Sequence, residues 1–176
     1  MIILKILGSI LIILSGYMFG KHIRDDMKNR VDFYTYLVKA LYFIDNKIAI
    51  ENMYLDEVMK QVITDIYSDT EICEPFSQFN IKLKDGEQSI ETTWKESCDE
   101  LFASCDYIKQ DERDDIYQIG VALGLSDRQR QSDSLKLICE KLANREKTIL
   151  EKTKKDSALA MKISLVFAVM LVVLII

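Results

Sequence analysis

The stretch LGLSDRQRQ, residues 123–131, decides how the helices of this chain are divided. Gly124 follows an apolar run with helical spacing, and a residue without a Cβ can close a helix in a left-handed turn. Ser126 stands three residues before Gln129, which is the spacing of a capping box at a helix N-terminus. The stretch therefore predicts a corner between two helices. A phosphate-binding loop would need more glycines or a lysine after the glycine, and the stretch has neither.

Apolar residues recur every three or four positions on both sides of this corner, as on one face of a helix. Residues 108–123 are predicted to form the helix before it, and a long helix follows it toward the end of the chain. The apolar positions are Ile116, Ile119, Val121 and Leu123 before the corner, and Leu135, Ile138, Leu142 and Ile149 after it.

Four more helices are predicted upstream. The first carries the apolar positions Val31, Tyr34, Leu37, Val38, Leu41, Ile44 and Ile48, and the second carries Leu55, Val58, Met59, Val62, Ile63 and Ile66. Pro75 starts a short third helix, and the Asp85-Gly86 pair that follows is typical of a turn. The fourth helix runs from Ser89 to about Cys105. We expect Trp94 in this helix to be a core residue, because a lone tryptophan more often packs inside than binds a ligand.

Composition agrees with an all-α fold. A chain of 176 residues suits one domain of ordinary size, and a single proline with six glycines leaves few of the turns that an all-β fold needs. We therefore predict a bundle of about five to six helices.

The two ends of the chain are apolar enough to cross a membrane. Residues 2–20 and residues 158–176 each give 19 positions with one lysine near an end, close to the roughly 20 residues that a bilayer core requires. The predicted organisation is a transmembrane helix over 1–20, a helical domain over 21–157 and a second transmembrane helix over 158–176. A cleaved signal peptide is the alternative for the first segment, but no pair of small residues of the A-x-A type precedes Lys21.

Basic residues flank both predicted spans on their inner sides. They are Lys21, Arg24, Lys28 and Arg30 after the first, and Lys152, Lys154 and Lys155 before the second. Because Lys and Arg favour the cytoplasmic side, we expect a cytoplasmic domain with both termini outside. Residues 21–157 hold 21 basic and 28 acidic residues, and this net charge of −7 argues against nucleic-acid binding.

Small residues recur at intervals of four or eight along both spans. They are Gly8, Gly16 and Gly20 in the first, and Ala160, Ser164 and Ala168 in the second. Small side chains at this spacing let helix backbones approach closely in lipid. We predict that these stripes pack against each other or against a partner's helix.

The sequence contains no recognisable catalytic, cofactor or metal motif. The only histidine, His22, stands at the membrane boundary, so the domain cannot form a Ser-His or Cys-His pair. Cys73, Cys98, Cys105 and Cys139 show no C-x-x-C spacing and are interpreted as small core residues. The acidic residues Asp106, Asp111, Glu112, Asp114 and Asp115 are interpreted as a solvated helix face rather than a weak divalent-ion site.

The assembled layout resembles the stage III sporulation protein AB family of endospore-forming bacteria. The first span, LKILGSILIILSGYMFG, resembles the anchor of that family, with Gly8 and Gly20 in familiar positions. The segment ALYFIDNKIAIENMYLDEV is similar to its paired-helix region, although Tyr54 stands where the family has proline. Trp94 matches a mid-domain tryptophan. The most specific match is an L-G-x-S-D-x-x-x-Q turn, carried here by Leu123, Gly124, Ser126, Asp127 and Gln131.

The resemblance implies a fold and a function. The expected domain is similar to the cytoplasmic helical bundle of the type II secretion F-protein family, and the expected role is a non-catalytic inner-membrane platform. Its implied partners are a cytoplasmic secretion ATPase and other membrane components of the channel that joins mother cell and forespore, besides membrane lipid. A homo-oligomer is left open.

The corner is the predicted partner-binding surface, through Ser126, Asp127, Arg128, Arg130 and Gln131. Paired arginines suit carboxylates, although they also occur as solvated residues of a helix cap. The alternative function is a two-span sensor or regulator whose acidic domain binds a ligand or a protein. A small pore-forming protein is disfavoured, because about three-quarters of the chain is a charged, patterned domain.

Overall fold

The computed structural model describes residues 2–66, 74–86, 88–105 and 107–175, and over this part of the chain it is helical without strands. The six helices are α1 (Ile2–Ala49), α2 (Leu55–Asp65), α3 (Glu74–Asp85), α4 (Ile90–Ser104), α5 (Gln110–Leu123) and α6 (Arg128–Ile175). The predicted all-α fold with long apolar terminal helices is confirmed. The expectations for Cys73 and Asp106 fall outside the described residues.

The chain divides into two compact units. One unit, here called the hairpin unit, consists of residues 1–31 and 147–176, and the other, the helical domain, consists of residues 32–146. Both α1 and α6 pass through both units, because each is a continuous helix of 48 residues.

The outer segments of α1 and α6 are long and apolar enough to cross a bilayer. A core helix of a soluble protein has the same length and composition, but it is mostly buried. Here only 11% of the most apolar window of each helix is buried. The two segments therefore fit a membrane protein.

Close packing in the hairpin unit occurs at two glycines of α1. A Cβ added at Gly16 would lie 2.5 Å from the Cβ of Ala168 and 3.2 Å from the carbonyl oxygen of Ser164. A Cβ added at Gly20 would lie 3.1 Å from the Cβ of Ser164. The two helix backbones approach so closely there that larger side chains would not fit.

The remaining small residues of the two stripes have other surroundings. Gly8 has open space around it, with nothing within 4 Å of an added Cβ. Ala160 accepts a 2.9 Å hydrogen bond through its carbonyl oxygen from the Ser164 hydroxyl, within α6. The close contacts thus lie toward the inner end of the first span.

The core of the helical domain is organised around Trp94 in α4. This side chain is buried, and its Nε1 donates a 2.8 Å hydrogen bond to the carbonyl oxygen of Ile116 in α5. Phe76 and Phe79 of α3 meet its ring edge-on, with centroids 5.2 and 5.4 Å away. Three helices therefore share one aromatic centre, as expected for a core tryptophan.

Gly120 provides the room that Trp94 needs. A Cβ at this position of α5 would come within 2.8 Å of both Cβ and Cδ1 of Trp94. The absence of a side chain lets α4 and α5 approach closely. The fit of the tryptophan thus depends on a glycine one helix away.

Within the helical domain, α1 and α6 are joined by polar contacts beside buried apolar residues. The Thr35 hydroxyl donates to the Glu146 carboxylate, and the Ser132 hydroxyl donates to the Asp45 carboxylate, both at 2.6 Å. The buried apolar residues of these two helices within the domain are Phe33, Tyr34, Leu37, Val38, Ala40, Leu41, Ile44, Ile48, Leu135, Cys139 and Leu142. The predicted apolar face of α1 is therefore largely confirmed.

The ends of α4 and α5 have clear physical causes. Ser89 caps α4, because its hydroxyl accepts a hydrogen bond from the Thr92 N–H, and α4 ends at Ser104. Helix α5 begins at Gln110 rather than at Ile108, because the Glu112 carboxylate accepts from the Lys109 N–H at 3.0 Å. Val121 was expected among the apolar members of this helix and is instead 40% exposed.

Replacement of Gly120 by alanine should destabilise the protein. The added methyl would overlap the Trp94 side chain, and overpacking of this kind costs about 1–3 kcal/mol, which exceeds the helix-propensity gain of about 1 kcal/mol. We expect a lower Tm, measured on the full-length protein in detergent through the fluorescence of Trp94, the only tryptophan. Gly124→Ala is the matched control, because its Cβ would make only ordinary contacts at 3.4 Å or more. Equal melting temperatures for the two variants would contradict this packing.

Gly16→Leu should separate the two spans in the hairpin unit. Tyr17→Cys and Leu165→Cys, two positions on a common groove, can be joined by a short bis-maleimide crosslinker. We expect Gly16→Leu to lower the crosslinking yield at least about fivefold, because close approach needs small residues. Gly8→Leu, placed where the structure has open space, should leave the yield unchanged. An unchanged yield with Gly16→Leu would rule out tight packing at this position.

Candidate partner-binding surface

The corner between α5 and α6 lies where the sequence predicts it, but its backbone differs from the expectation. Helix α5 ends at Leu123, and Gly124 has φ −79° and ψ −5°. The predicted left-handed turn is therefore wrong. The Gly124 N–H still donates to the Gly120 carbonyl oxygen as in a helix, so glycine is not required here for its backbone freedom.

The N-terminal cap of α6 is Asp127, not Ser126. Its Oδ1 accepts a 2.9 Å hydrogen bond from the Arg130 N–H, and its carbonyl oxygen accepts from the Gln131 N–H at 2.8 Å. The predicted capping box of Ser126 with Gln129 is therefore wrong by one residue. Aspartate is among the best capping residues, and its charge favours the positive helix end.

Gln131 lies on the inner side of the corner. It is buried, and its Nε2 donates a 2.8 Å hydrogen bond to the carbonyl oxygen of Leu123, the last residue of α5. This bond ties the end of α5 to the first turn of α6. Gln131 therefore fixes the geometry of the corner from inside, while Ser126, Asp127, Arg128 and Arg130 are exposed.

A second loop reaches the corner from far away in the sequence. Arg128 Nη1 donates a 2.5 Å hydrogen bond to the Oδ1 of Asn52, in the loop between α1 and α2. Asn52 has a positive φ of 55°, a conformation that asparagine tolerates better than most residues. Nothing local in the sequence indicates this contact, because the two residues are 76 positions apart.

Exposed apolar side chains lie near Asn52 and near the two arginines in the sequence. Ile50 and Tyr54 flank Asn52 and are 71% and 72% exposed, and Leu125 precedes the cap of α6 and is 37% exposed. We call Ile50, Tyr54, Leu125, Arg128 and Arg130 the corner surface. Sequence reasoning missed Ile50 and Tyr54, because it placed them in an unrelated helix connection.

The corner surface combines residue types that are common in protein interfaces. Aromatic and arginine side chains are enriched in interfaces, where apolar groups supply buried area and guanidinium groups bind carboxylates. Neither arginine forms an ion pair with a described carboxylate. Both charges therefore remain available to an acidic partner.

The solvated acidic face that the sequence predicts is confirmed for Asp111 and Asp114, which are exposed, but it is wrong for two other acidic residues of α5. Glu112 and Asp115 are buried, and both face Arg145 of α6. Arg145 Nη2 lies 2.5 Å from Asp115 Oδ2, and Lys141 Nζ lies 2.6 Å from Asp115 Oδ1. The two carboxylates thus join α5 to α6, and the described residues hold no group of three or more side chains suited to a metal ion.

The charges on α6 also set the ionisation of Asp115. Burial alone would raise the pKa of Asp115, but hydrogen bonds from Lys141 and Arg145 outweigh burial and lower it below its ordinary value. Asp115 therefore carries its charge at neutral pH, as a structural ion pair requires.

The described cysteines are core residues, as the sequence predicts. Cys98, Cys105 and Cys139 are buried, and Cys98 and Cys139 are free thiols. Burial raises the pKa of the Cys98 thiol, and burial with the nearby charges of Asp45 and Glu140 raises that of Cys139 to about 12. A thiol in this state is a poor nucleophile.

One family model matches nearly the whole chain. The family model described as stage III sporulation protein AB matches residues 5–176. A solved structure of stage III sporulation protein AB (SpoIIIAB) is 23% identical and superimposes with a TM-score of 0.64. The similarity covers 71% of this chain and 96% of that one, and at this identity it shows the fold. No curated protein matches the chain.

Removal of Arg145 should destabilise the helical domain. Arg145→Met leaves Glu112 and Asp115 buried without their guanidinium, at a cost of about 2–3 kcal/mol, less than for a fully buried pair because Arg145 is 28% exposed. Lys136→Met is the control, because Lys136 is an exposed cation of the same helix. The measurement is thermal unfolding of the full-length protein at neutral pH.

The difference in Tm between the wild type and Arg145→Met should depend on pH. Because the pKa of Asp115 is lower in the folded state, its contribution to stability is complete above its unfolded value of about 3.9 and is lost as pH falls further. The Tm values of the wild type and Arg145→Met should therefore converge below about pH 4. A constant gap down to pH 2 would show that Asp115 does not depend on Arg145.

Proposed function

The chain belongs to the stage III sporulation protein AB family, and from this we propose that it is a non-catalytic platform of the inner membrane in the sporulation channel complex. In this role it couples a cytoplasmic secretion ATPase to the channel that joins mother cell and forespore. The family membership supports a role in sporulation. The coupling to an ATPase rests on the corner surface.

The corner surface carries the proposal because it is rigid, cationic and partly apolar. Asp127 caps α6 and Gln131 ties α5 to α6, so the arginines project from a fixed backbone. Arg128 is further held by the neutral side chain of Asn52. A surface held in place before binding loses less conformational entropy on association, which favours affinity.

The proposed orientation places the helical domain in the mother-cell cytoplasm. Seven basic residues follow the first span or precede the second, whereas only Lys5 lies toward the outer end of either. This bias favours insertion with both termini outside. The domain is then on the side where a cytoplasmic ATPase works.

A platform without catalysis also agrees with how the helical domain is filled. The centre of the α3–α4–α5 packing is filled by Trp94, with Phe76 and Phe79 packed against its ring. The sensor alternative calls for a pocket with converging polar groups. Two clefts of the domain beside α5 are open, and they are lined in part by Asp114, Gln118 and Lys141.

Reversal of the two corner charges should weaken ATPase binding. We expect Arg128→Glu with Arg130→Glu to raise the Kd for the sporulation secretion ATPase at least about tenfold at low salt, with most of the loss in the association rate. Binding of the wild type should weaken as salt rises, because exposed charges are screened. The measurement is biolayer interferometry with the full-length protein held in nanodiscs.

The control variant is Lys84→Glu with Lys95→Glu, which changes net charge equally on exposed positions of α3 and α4. This variant should bind within about twofold of the wild type, since it leaves the steering charges of the corner in place. Loss of binding in both variants would point to net charge, and retention in both would remove the corner surface from the proposal.

A further inference from the structure

The charge of the protein is divided unequally between its two units. The hairpin unit contains ten basic and four acidic residues, for a net charge of +6, whereas the helical domain contains thirteen basic and 24 acidic residues, for a net charge of −11. The positive charge of the hairpin unit is concentrated at the inner ends of the spans, because Lys5 is the only basic residue at an outer end. An anionic membrane surface attracts such a cluster.

Seven basic residues of this cluster are not paired with a described carboxylate. Among the described ion pairs of residues 5–31 and 147–174, the one at this boundary joins His22 to Asp26 at 3.6 Å. Lys21, Arg24, Lys28, Lys152, Lys154, Lys155 and Lys162 have no carboxylate within ion-pair distance in the part of the chain that the structure describes. In the helical domain, five basic residues form ion pairs with described carboxylates: Lys47, Lys60, Lys82, Lys141 and Arg145.

Two of the unpaired cations line one groove in the hairpin unit. Arg24 comes from α1 and Lys162 from α6, and Tyr17 and Ser157 complete the polar lining. Met161, Leu165 and Ala158 supply an apolar floor. The groove measures about 510 Å³, within the range of small-molecule sites.

The register of the two spans brings both cations to similar depths, about 3 Å apart along the helix axis. Gly16 faces Ala168 and Gly20 faces Ser164, so one step along α1 matches one step back along α6. Continuing this register places Arg24 level with residue 160, about half a turn from Lys162. A flexible lysine stem can lift its ammonium toward the headgroup region, so both charges can reach one anion.

From this geometry we propose that the groove binds an anionic glycerophospholipid of the inner leaflet. Arg24 and Lys162 bind the phosphate, with the guanidinium able to donate two parallel hydrogen bonds, and the Tyr17 hydroxyl donates a third. The first segments of the acyl chains lie over Met161 and Leu165. This lipid site requires that both spans are inserted in the membrane, but it does not require binding to the ATPase. Failure of the lipid site would therefore leave the proposed platform role intact.

A second groove along the same helix pair shows why the proposal concerns only the inner one. Its lining is apolar or small and contains no charged side chain: Leu11, Ile12, Ser15, Gly16, Phe19, Ile163, Ser164, Phe167, Ala168 and Leu171. Such a surface accepts any acyl chain and cannot distinguish headgroups. Selectivity for an anionic lipid requires the arginine and the lysine.

The test is native mass spectrometry of the full-length protein, delipidated in nonionic detergent and titrated with dioleoyl phosphatidylglycerol or dioleoyl phosphatidylcholine. The wild type should bind the first phosphatidylglycerol molecule about thirtyfold more tightly than the first phosphatidylcholine molecule. This ratio follows from a gain of about fivefold for each of the two basic residues near the membrane surface. Equal affinity for the two lipids would overturn the proposal without any variant. Sodium phosphate that displaces phosphatidylglycerol at equal concentration would also overturn it, because a free anion would then suffice.

Variants locate the site. R24Q with K162Q should remove the preference for phosphatidylglycerol, whereas K152Q with K154Q, which removes equal charge outside the groove lining, should keep it within about twofold. R24K with K162R retains both charges and should keep most of the preference. An equal loss in the groove and control variants would assign binding to general attraction and reject the groove.

Discussion

The contact on which the rest of the helical domain depends is that between Trp94 and Gly120. The indole occupies the space that a side chain on α5 would need, and its Nε1 binds a carbonyl oxygen of the same helix. This fixes α5 against α4, and the edge-on contacts with Phe76 and Phe79 add α3. Once α5 is fixed, its other face presents Glu112 and Asp115 to Arg145, and its last carbonyl oxygen to Gln131. The position of α6, and with it the corner surface, follows from that one aromatic contact.

The two units are held together by different physical effects, because one packs in water and the other in lipid. In the helical domain, water drives apolar side chains inward, so large residues such as Tyr34, Leu41 and Trp94 fill the core. In the hairpin unit the surroundings are as apolar as the side chains, and association depends on close backbone approach instead. Gly16 and Gly20 permit this approach, while the large side chains of the same helix face outward. In both units, therefore, glycine allows close packing. Gly120 packs against a tryptophan in the helical domain, and Gly16 and Gly20 pack against the other helix in the hairpin unit.

Sequence periodicity was sufficient for the helices but not for the polar contacts between them. An apolar stripe such as that of α1 depends only on local spacing, and so the helices, the core tryptophan and the two apolar ends were predictable. The burial of Glu112 and Asp115 depends on Arg145, about thirty residues away, which no local pattern reveals. The cap of α6 was misplaced for a different reason, because Ser126 and Asp127 are adjacent and both suit the position. The pairing of Asn52 with Arg128 was likewise out of reach, since loop residues carry no periodicity.

The residues of the corner have two different roles: some hold its backbone in place, and others carry unpaired charge. Gln131 and Asp127 form hydrogen bonds with backbone groups of the corner, and these bonds do not depend on whether a partner is bound. Arg128 and Arg130 make no ion pair with described residues, and Asn52 holds Arg128 without cancelling its charge. A carboxylate in place of Asn52 would hold the arginine equally well but would neutralise it. A neutral acceptor keeps the guanidinium both positioned and charged, which favours a surface that binds acidic partners over one that only closes a helix.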